Sequence, residues 1–447
     1  MDVESIVGRP DNLHLRTWQG GDVEYFSIPS MIERLLSWIK KGNSLLKQRA
    51  EHRYRRRYAR GMQLLGANRR SLGEALLAFY SAGETPTTPV HSVRYIYPTG
   101  EALDLPLVTR REYVRHTAPS LGFSFAYSGE AKAFEIDAKA LAQAQARWLA
   151  AGLRLWGGPV FSLQSVELEP PTASLEFRTV EFFTYRASYG EVFDELGLAL
   201  ADKGLTSTLD DLRTRRLHLF PLRERYMPDL RRVMALEKRI CAGGPIVLIA
   251  ARTEDNDLAF IIQRRSDQVS DEPLALTPVP RAFHGPEVDA SVEYDMTLVV
   301  LREMWEELFG GEDRPSGELS ALHFIDKCPA VRELFDGRDT NHVLAPLGLM
   351  WDLYRGNFIA SYCLHITDPT WWTRHSRAMK LNWEFDVIRK NTPVFASRGG
   401  LATLLDARDW ALDSYFAFIE GVRWLAPREE LVSRLSSELP RLVLSRI

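Results

Sequence analysis

The chain reads as an α/β protein, and three segments carry that reading. Asp257-Leu-Ala-Phe-Ile-Ile-Gln-Arg-Arg-Ser266 is a strand-like apolar run. Arg302-Glu-Met-Trp-Glu-Glu307 lies in an amphipathic stretch. At ~100° per residue it places Leu301, Met304, Trp305 and Leu308 on one helical face and Glu303, Glu306 and Glu307 on the other. Leu349 to Ile366 reads as two strands around an Arg355-Gly-Asn357 turn. The order strand, loop, acidic helix, hairpin predicts a helix over 295–308 packed on a mixed sheet that contains strands at 258–263 and 358–366.

The acidic helix carries the chemistry. Three carboxylates at i, i+3 and i+4 repel one another unless positive charge sits among them. A hard divalent cation answers that need, because Mg²⁺ takes oxygen ligands and keeps phosphate oxygens in its shell. A solvated acidic face is the plain alternative for such a segment.

From about Gly243 to Ser397 the segment order and the central residues resemble a Nudix hydrolase domain. That family's signature is Gly-x5-Glu-x7-Arg-Glu-U-x-Glu-Glu-x-Gly-U, with U aliphatic. Arg302, Glu303, Met304, Glu306 and Glu307 match its core. The edges are displaced outward: position 294 is Tyr with Glu293 beside it, position 288 is Val with Gly285 nearest, and position 309 is Phe with Gly310 next. The resemblance implies a Nudix-like α/β/α sandwich with a mixed sheet. It implies a metal-dependent hydrolase of a diphosphate bond in a nucleoside diphosphate-linked small molecule. Glu303, Glu306 and Glu307 would bind Mg²⁺ or Mn²⁺, and Arg302 would orient carboxylates of its own helix. Glu384 and Asp386 are candidates for a further acidic group by chain order. Arg264 and Arg265 end the strand before the box, where one of them would face phosphate or form a surface salt bridge. His284, in the long pre-box run Ser266 to Asp295, is either a base or an ordinary loop residue. Two other readings stand beside hydrolysis. One is a weakly catalytic or non-catalytic ligand sensor joined to a basic N-terminal region. The other is an isomerase of the same superfamily, for which no cysteine here has a matching motif.

With 447 residues, the chain predicts two or three domains. We divide it into a basic helical region (1–89), a mixed α/β lobe (90–240) and the Nudix-like part with C-terminal helices (241–447). Cys241, Cys328 and Cys363 are isolated, which argues against a disulfide framework or a zinc site and suits a reducing cytoplasm. No basic-then-apolar leader opens the sequence, and no run of ~20 apolar residues predicts a membrane span.

Charge is unevenly distributed. Residues 31–70 hold twelve Lys or Arg and two acids, an excess of +10, so the remainder carries −13 within a net charge of −3. Ser30 and Glu33 have capping-box spacing ahead of the stripe Ile32, Leu35, Leu36, Ile39. Further helices are expected at 44–65 and 71–80. Arg53-Tyr-Arg-Arg-Arg-Tyr-Ala-Arg60 has the basic–aromatic mix of a nucleic-acid surface. Contact with the acidic remainder, or with a second copy of the chain, is the favoured reading. Further on, a strand is expected at 91–97, an Ala-rich helix from Ala131 to Gly152, and two strands around Glu169-Pro-Pro171. Trp371-Trp372 and Cys363 read as packing residues.

Overall fold

The computed structural model describes residues 14–16, 25–27, 44–131, 136, 138–153, 157–266, 272, 274–311, 320–337, 340–380, 393–397 and 399–447. Strands β1 (His14–Arg16) and β2 (Tyr25–Ser27) pair antiparallel. Helices α1 (Ser44–Ala67) and α2 (Arg69–Ser81) follow, close to the expected bounds. The expected helix at 30–39 lies outside the described residues.

Strands β3 (His91–Ile96) and β4 (Ala102–Thr109) form a hairpin. Next come β5 (Gly122–Glu130), helix α3 (Ala138–Ala151), β6 (Pro159–Glu169) and β7 (Thr172–Glu181). The Ala-rich helix is therefore shorter than its composition suggests. Ala131, its expected first residue, instead follows the end of β5 with its amide on the Thr179 carbonyl at 3.0 Å, and the alternating Phe123, Phe125 and Tyr127 of β5 suit a strand with one covered face. β5, β7 and β6 make a separate three-stranded sheet, with β6 and β7 joined across the expected Pro-Pro turn. Helix α4 (Glu191–Lys203) is the longest of a helical run that extends from Phe182 to near Lys238.

The main sheet has eight strands. Its later members are β8 (Gly243–Arg252), β9 (Leu258–Phe260), β12 (His342–Asp352), β13 (Phe358–Ile366), β14 (Val394–Phe395) and β15 (Arg441–Arg446). A small pair, β10 (Ile262–Arg264) with β11 (Leu276–Pro278), stands apart. The order across the main sheet is β14-β9-β8-β13-β12-β4-β3-β15. β8 and β13 run parallel, and the other neighbours are antiparallel. The expected strand at 258–263 is present but broken at Ile261, and that at 358–366 is β13.

Helices cover both faces of this sheet. On one side lies α5 (Ala290–Glu293) followed by α6 (Met296–Leu308), and on the other α7 (Leu412–Leu425). The pleat explains the division, since Val247, Ile249 and Ala251 of β8 share a core with Met296, Val300, Met304 and Leu308. Ile246, Leu248 and Ala250 share one with Phe416, Ile419 and Val422. Each fully buried Leu, Ile or Val side chain contributes about 1.5–3 kcal/mol. Both faces of β8 being covered accounts for its unbroken apolar run. The sheet does not respect a division at residue 240: β3 and β4, from the expected lobe, pair into it beside β12 and β15.

Candidate functional site around the acidic helix

Helix α6 is set by local rules at both ends. Asp295 caps it, its Oδ1 accepting from the Thr297 amide at 2.8 Å. Gly310, with φ +70°, provides the left-handed turn that stops it, and the Gly311 amide returns to the Trp305 carbonyl at 3.0 Å. The displaced glycine at 310 thus falls where a helix C-terminus needs one.

Arg302 is the centre of the cluster. It is buried, and its Nη1 donates to Glu293 Oε1 at 2.9 Å. Its Nη2 donates to Glu303 Oε1 at 3.2 Å and to the Gly285 carbonyl at 3.0 Å, and its Nε lies 3.4 Å from Glu306 Oε1. Burial opposes the guanidinium charge, but the Glu303, Glu287, Glu306 and Glu293 carboxylates outweigh it and raise the Arg302 pKa above its ordinary value. Glu293, buried in turn, accepts from the amides of Glu287, Val288 and Asp289 at 3.2, 2.8 and 2.6 Å. One ion pair therefore clamps the 285–293 loop onto α6. Residue counting along one continuous helix missed this pairing. The break at Tyr294 between α5 and α6 absorbs the extra residue, so Glu293 reaches Arg302 despite its displacement. Gly285 is equally constrained, since a Cβ there would lie 3.0 Å from the Pro159 carbonyl oxygen.

The three box glutamates differ in environment. The Glu303 side chain is 13% exposed and that of Glu306 6%. Glu307 is buried, and its Oε1 accepts from the Arg281 amide at 3.2 Å, while Arg281 Nη2 pairs with Asp413 at 2.7 Å. The carboxylate face of α6 is therefore largely buried and does not open as a solvated face, and Arg281, Gly285 and Glu293 of the preceding segment touch its cluster. Among the described residues, no three His, Cys, Asp or Glu side chains are grouped to hold a metal ion. By donor chemistry Glu303, Glu306 and Glu307 fit a hard cation; their side-chain positions here do not form a shell.

The other candidates separate. Arg264 bonds Asp409 at 2.9 Å and the Leu274 carbonyl at 2.6 Å, the surface salt bridge of the two roles considered for it. Arg265 is buried, its amide bonded to the Ala275 carbonyl at 2.9 Å. Glu384 and Asp386 lie outside the described residues. His284 is fully buried between Phe161 and Phe177, with ring centroids at 4.3 and 4.6 Å. Burial lowers its pKa to about 3, so it is a neutral core residue at physiological pH. Cys241, Cys328 and Cys363 are buried free thiols, and burial pushes each pKa up. Trp371 is buried with Nε1 on the Ala330 carbonyl at 3.3 Å, and Trp372 packs edge-on against Phe395.

The three-stranded sheet lies against this site. Tyr127 stacks on Tyr294 at 6.3 Å, Phe177 packs on Phe358 at 5.6 Å, and Phe123 meets Tyr362 edge-on at 5.7 Å. Among the described residues no helix is long and apolar enough to cross a membrane. No protein-family model matches the chain, and no curated protein matches it.

Proposed function

We propose that the chain is a metal-dependent hydrolase that cleaves a diphosphate bond in a nucleoside diphosphate-linked small molecule. The observation that carries this reading is the position of Arg302. It is turned onto the carboxylates of its own helix and onto Glu293, a placement from which it would orient metal ligands. The resemblance in the Arg-Glu-x-x-Glu-Glu core implies that role. Gly285, Glu293 and Gly310 add support, because each displaced edge residue has a structural task suited to its chemistry.

Glu303, Glu306 and Glu307 would hold Mg²⁺ or Mn²⁺. The cation supplies charge neutralisation of the diphosphate and activation of water. The chain's own residues set the frame: Arg302 fixes Glu303 and Glu306, and the Arg281 amide fixes Glu307.

The test is Mg²⁺- or Mn²⁺-dependent turnover of a panel of nucleoside diphosphate-linked compounds. Glu306→Gln and Glu307→Gln are expected to lose at least ~100-fold in turnover, the scale of removing an electrostatic stabiliser from a reacting centre, while remaining folded. Wild-type turnover in both variants would place the chemistry elsewhere. The sealing of Glu306 and Glu307 favours a second reading, a ligand sensor of the same fold. Calorimetric binding of a nucleotide with no turnover under any divalent cation would select it.

A further inference from the structure

Helix α1 has two chemically different sides. Tyr58, Gly61 and Leu65 lie on one, buried, and Gly61 approaches α4 so closely that a Cβ there would sit 2.3 Å from the Gly197 carbonyl oxygen. Arg49, Arg53, Arg56 and Arg60 follow one another at i, i+4, i+7 and i+11. At ~100° per residue they fall within roughly 60° of arc, opposite the packed side. All four are exposed.

The neighbouring arginines are tied down. Arg55 Nε donates to the Ala150 carbonyl at 3.0 Å, and Arg57 Nε to Asp202 Oδ1 at 2.6 Å. The four apex arginines have no carboxylate partner among the described residues. Glu51 projects from the other side of the helix by the same angular count. Among the described residues the basic segment thus divides: its flanks make contacts within the chain, and its apex makes no ion pair.

We infer that this stripe is a docking surface for the phosphate backbone of a nucleic-acid duplex. It spans about 16 Å at ~1.5 Å rise per residue. A duplex strand presents a phosphate every ~3.4 Å of axis, so one strand lying along the helix supplies partners for all four guanidiniums. Arginine forks suit phosphate oxygens. Among the described residues of α1 no tyrosine is free to stack an unpaired base, since Tyr54 is half-buried and stacked on Tyr58 at 6.3 Å and Tyr58 is buried, which leaves His52 as the exposed ring beside the stripe. None of the large apolar side chains exposed among the described residues is on α1, so the stripe offers charge without an apolar insert beside it. The contact positions the protein on the duplex without reading sequence.

The experiment is an anisotropy titration of the full chain against a 20-base-pair duplex of mixed sequence from 50 to 200 mM salt. The same-length single strand, polyglutamate and anionic vesicles serve as comparators. Four neutralised phosphates give a log–log slope near −3.6, so duplex affinity should fall ~150-fold over that range. The R49Q/R53Q/R56Q/R60Q variant should lose this binding, and the four-lysine variant should keep most of the salt slope. Absence of duplex binding at 50 mM salt overturns the inference. So does binding that the four-glutamine variant retains, or preference for the single strand, polyglutamate or vesicles over the duplex.

Discussion

At the scale of single residues, the Arg302–Glu293 pair is the interaction most exposed to disruption. Both side chains are almost fully buried, at 5% and 3% exposure. Removing one partner leaves the other charged in a desolvated place, a change that costs about 3–5 kcal/mol. Arg302→Ala and Glu293→Ala should each lose that much in urea unfolding. The double variant should lose clearly less than the sum, because the second change removes the stranded charge. Additive losses would mean that the pair does not clamp the loop. His284 gives a pH-dependent counterpart. Its folded pKa of about 3 lies below the ordinary histidine value near 6.5, so unfolding takes up a proton wherever the pH is between the two. Its stabilising contribution is complete above ~6.5 and is lost as pH falls toward ~3. Wild type should therefore lose roughly 3 kcal/mol relative to His284→Leu on going from pH 7 to pH 4. Parallel stability curves for the two proteins would show that the ring is not held neutral.

At the scale of elements, close approach between helices leaves its own signature. Gly61 of α1 and Gly197 of α4 face each other, and a Cβ on Gly197 would lie 2.1 Å from the Met62 methyl group. Gly61→Ala meets backbone, which cannot yield. Gly197→Ala meets the end of a flexible Met side chain, which can. Gly61→Ala should therefore destabilise by about 1–3 kcal/mol and Gly197→Ala by less, as read from thermal melts. Equal costs would show that helix separation is not set at Gly61. Elements of this kind were unevenly legible in the sequence. Helix α6 and the β12–β13 hairpin were readable because their periodicity, caps and turn residues are local. The start of the Ala-rich helix at Ala138 was not, since alanine favours helix without marking where one begins. The carboxylates of the site were legible by spacing. Their burial was not, because it depends on contacts such as the Arg302–Glu293 ion pair, which joins residues nine apart across the break at Tyr294.

At the scale of the whole molecule, the main sheet binds together stretches that are hundreds of residues apart. β3 and β4 join it from the N-terminal side, and β15 closes its edge from the end of the chain. No local pattern encodes such pairing, which is why a boundary at residue 240, drawn where the Nudix-like segment order begins, runs through one sheet. The three-stranded sheet is stitched on independently: the Phe161 amide bonds the His284 carbonyl at 2.8 Å, and the His284 amide bonds Gly243 at 2.7 Å. The C-terminal strand tests how far this integration carries stability. Leu442 and Leu444 are buried in the core shared with α7, and β15 pairs with β3 along six residues. Arg423 on α7 also donates to the Pro440 carbonyl, which leads into the strand. Removing residues 440–447 exposes Val93 and Tyr95 at a new sheet edge. At about 1.5–3 kcal/mol for each buried leucine, the truncated chain should lose roughly 3–6 kcal/mol in urea unfolding. It should also become more prone to associate through the bared β3 edge. Leu444→Ala alone should lose about 2–4 kcal/mol while leaving that edge paired, which separates the apolar contribution from edge exposure. If truncation costs under ~1 kcal/mol against that expectation, β15 is a peripheral addition and the sheet is held from β4 inward.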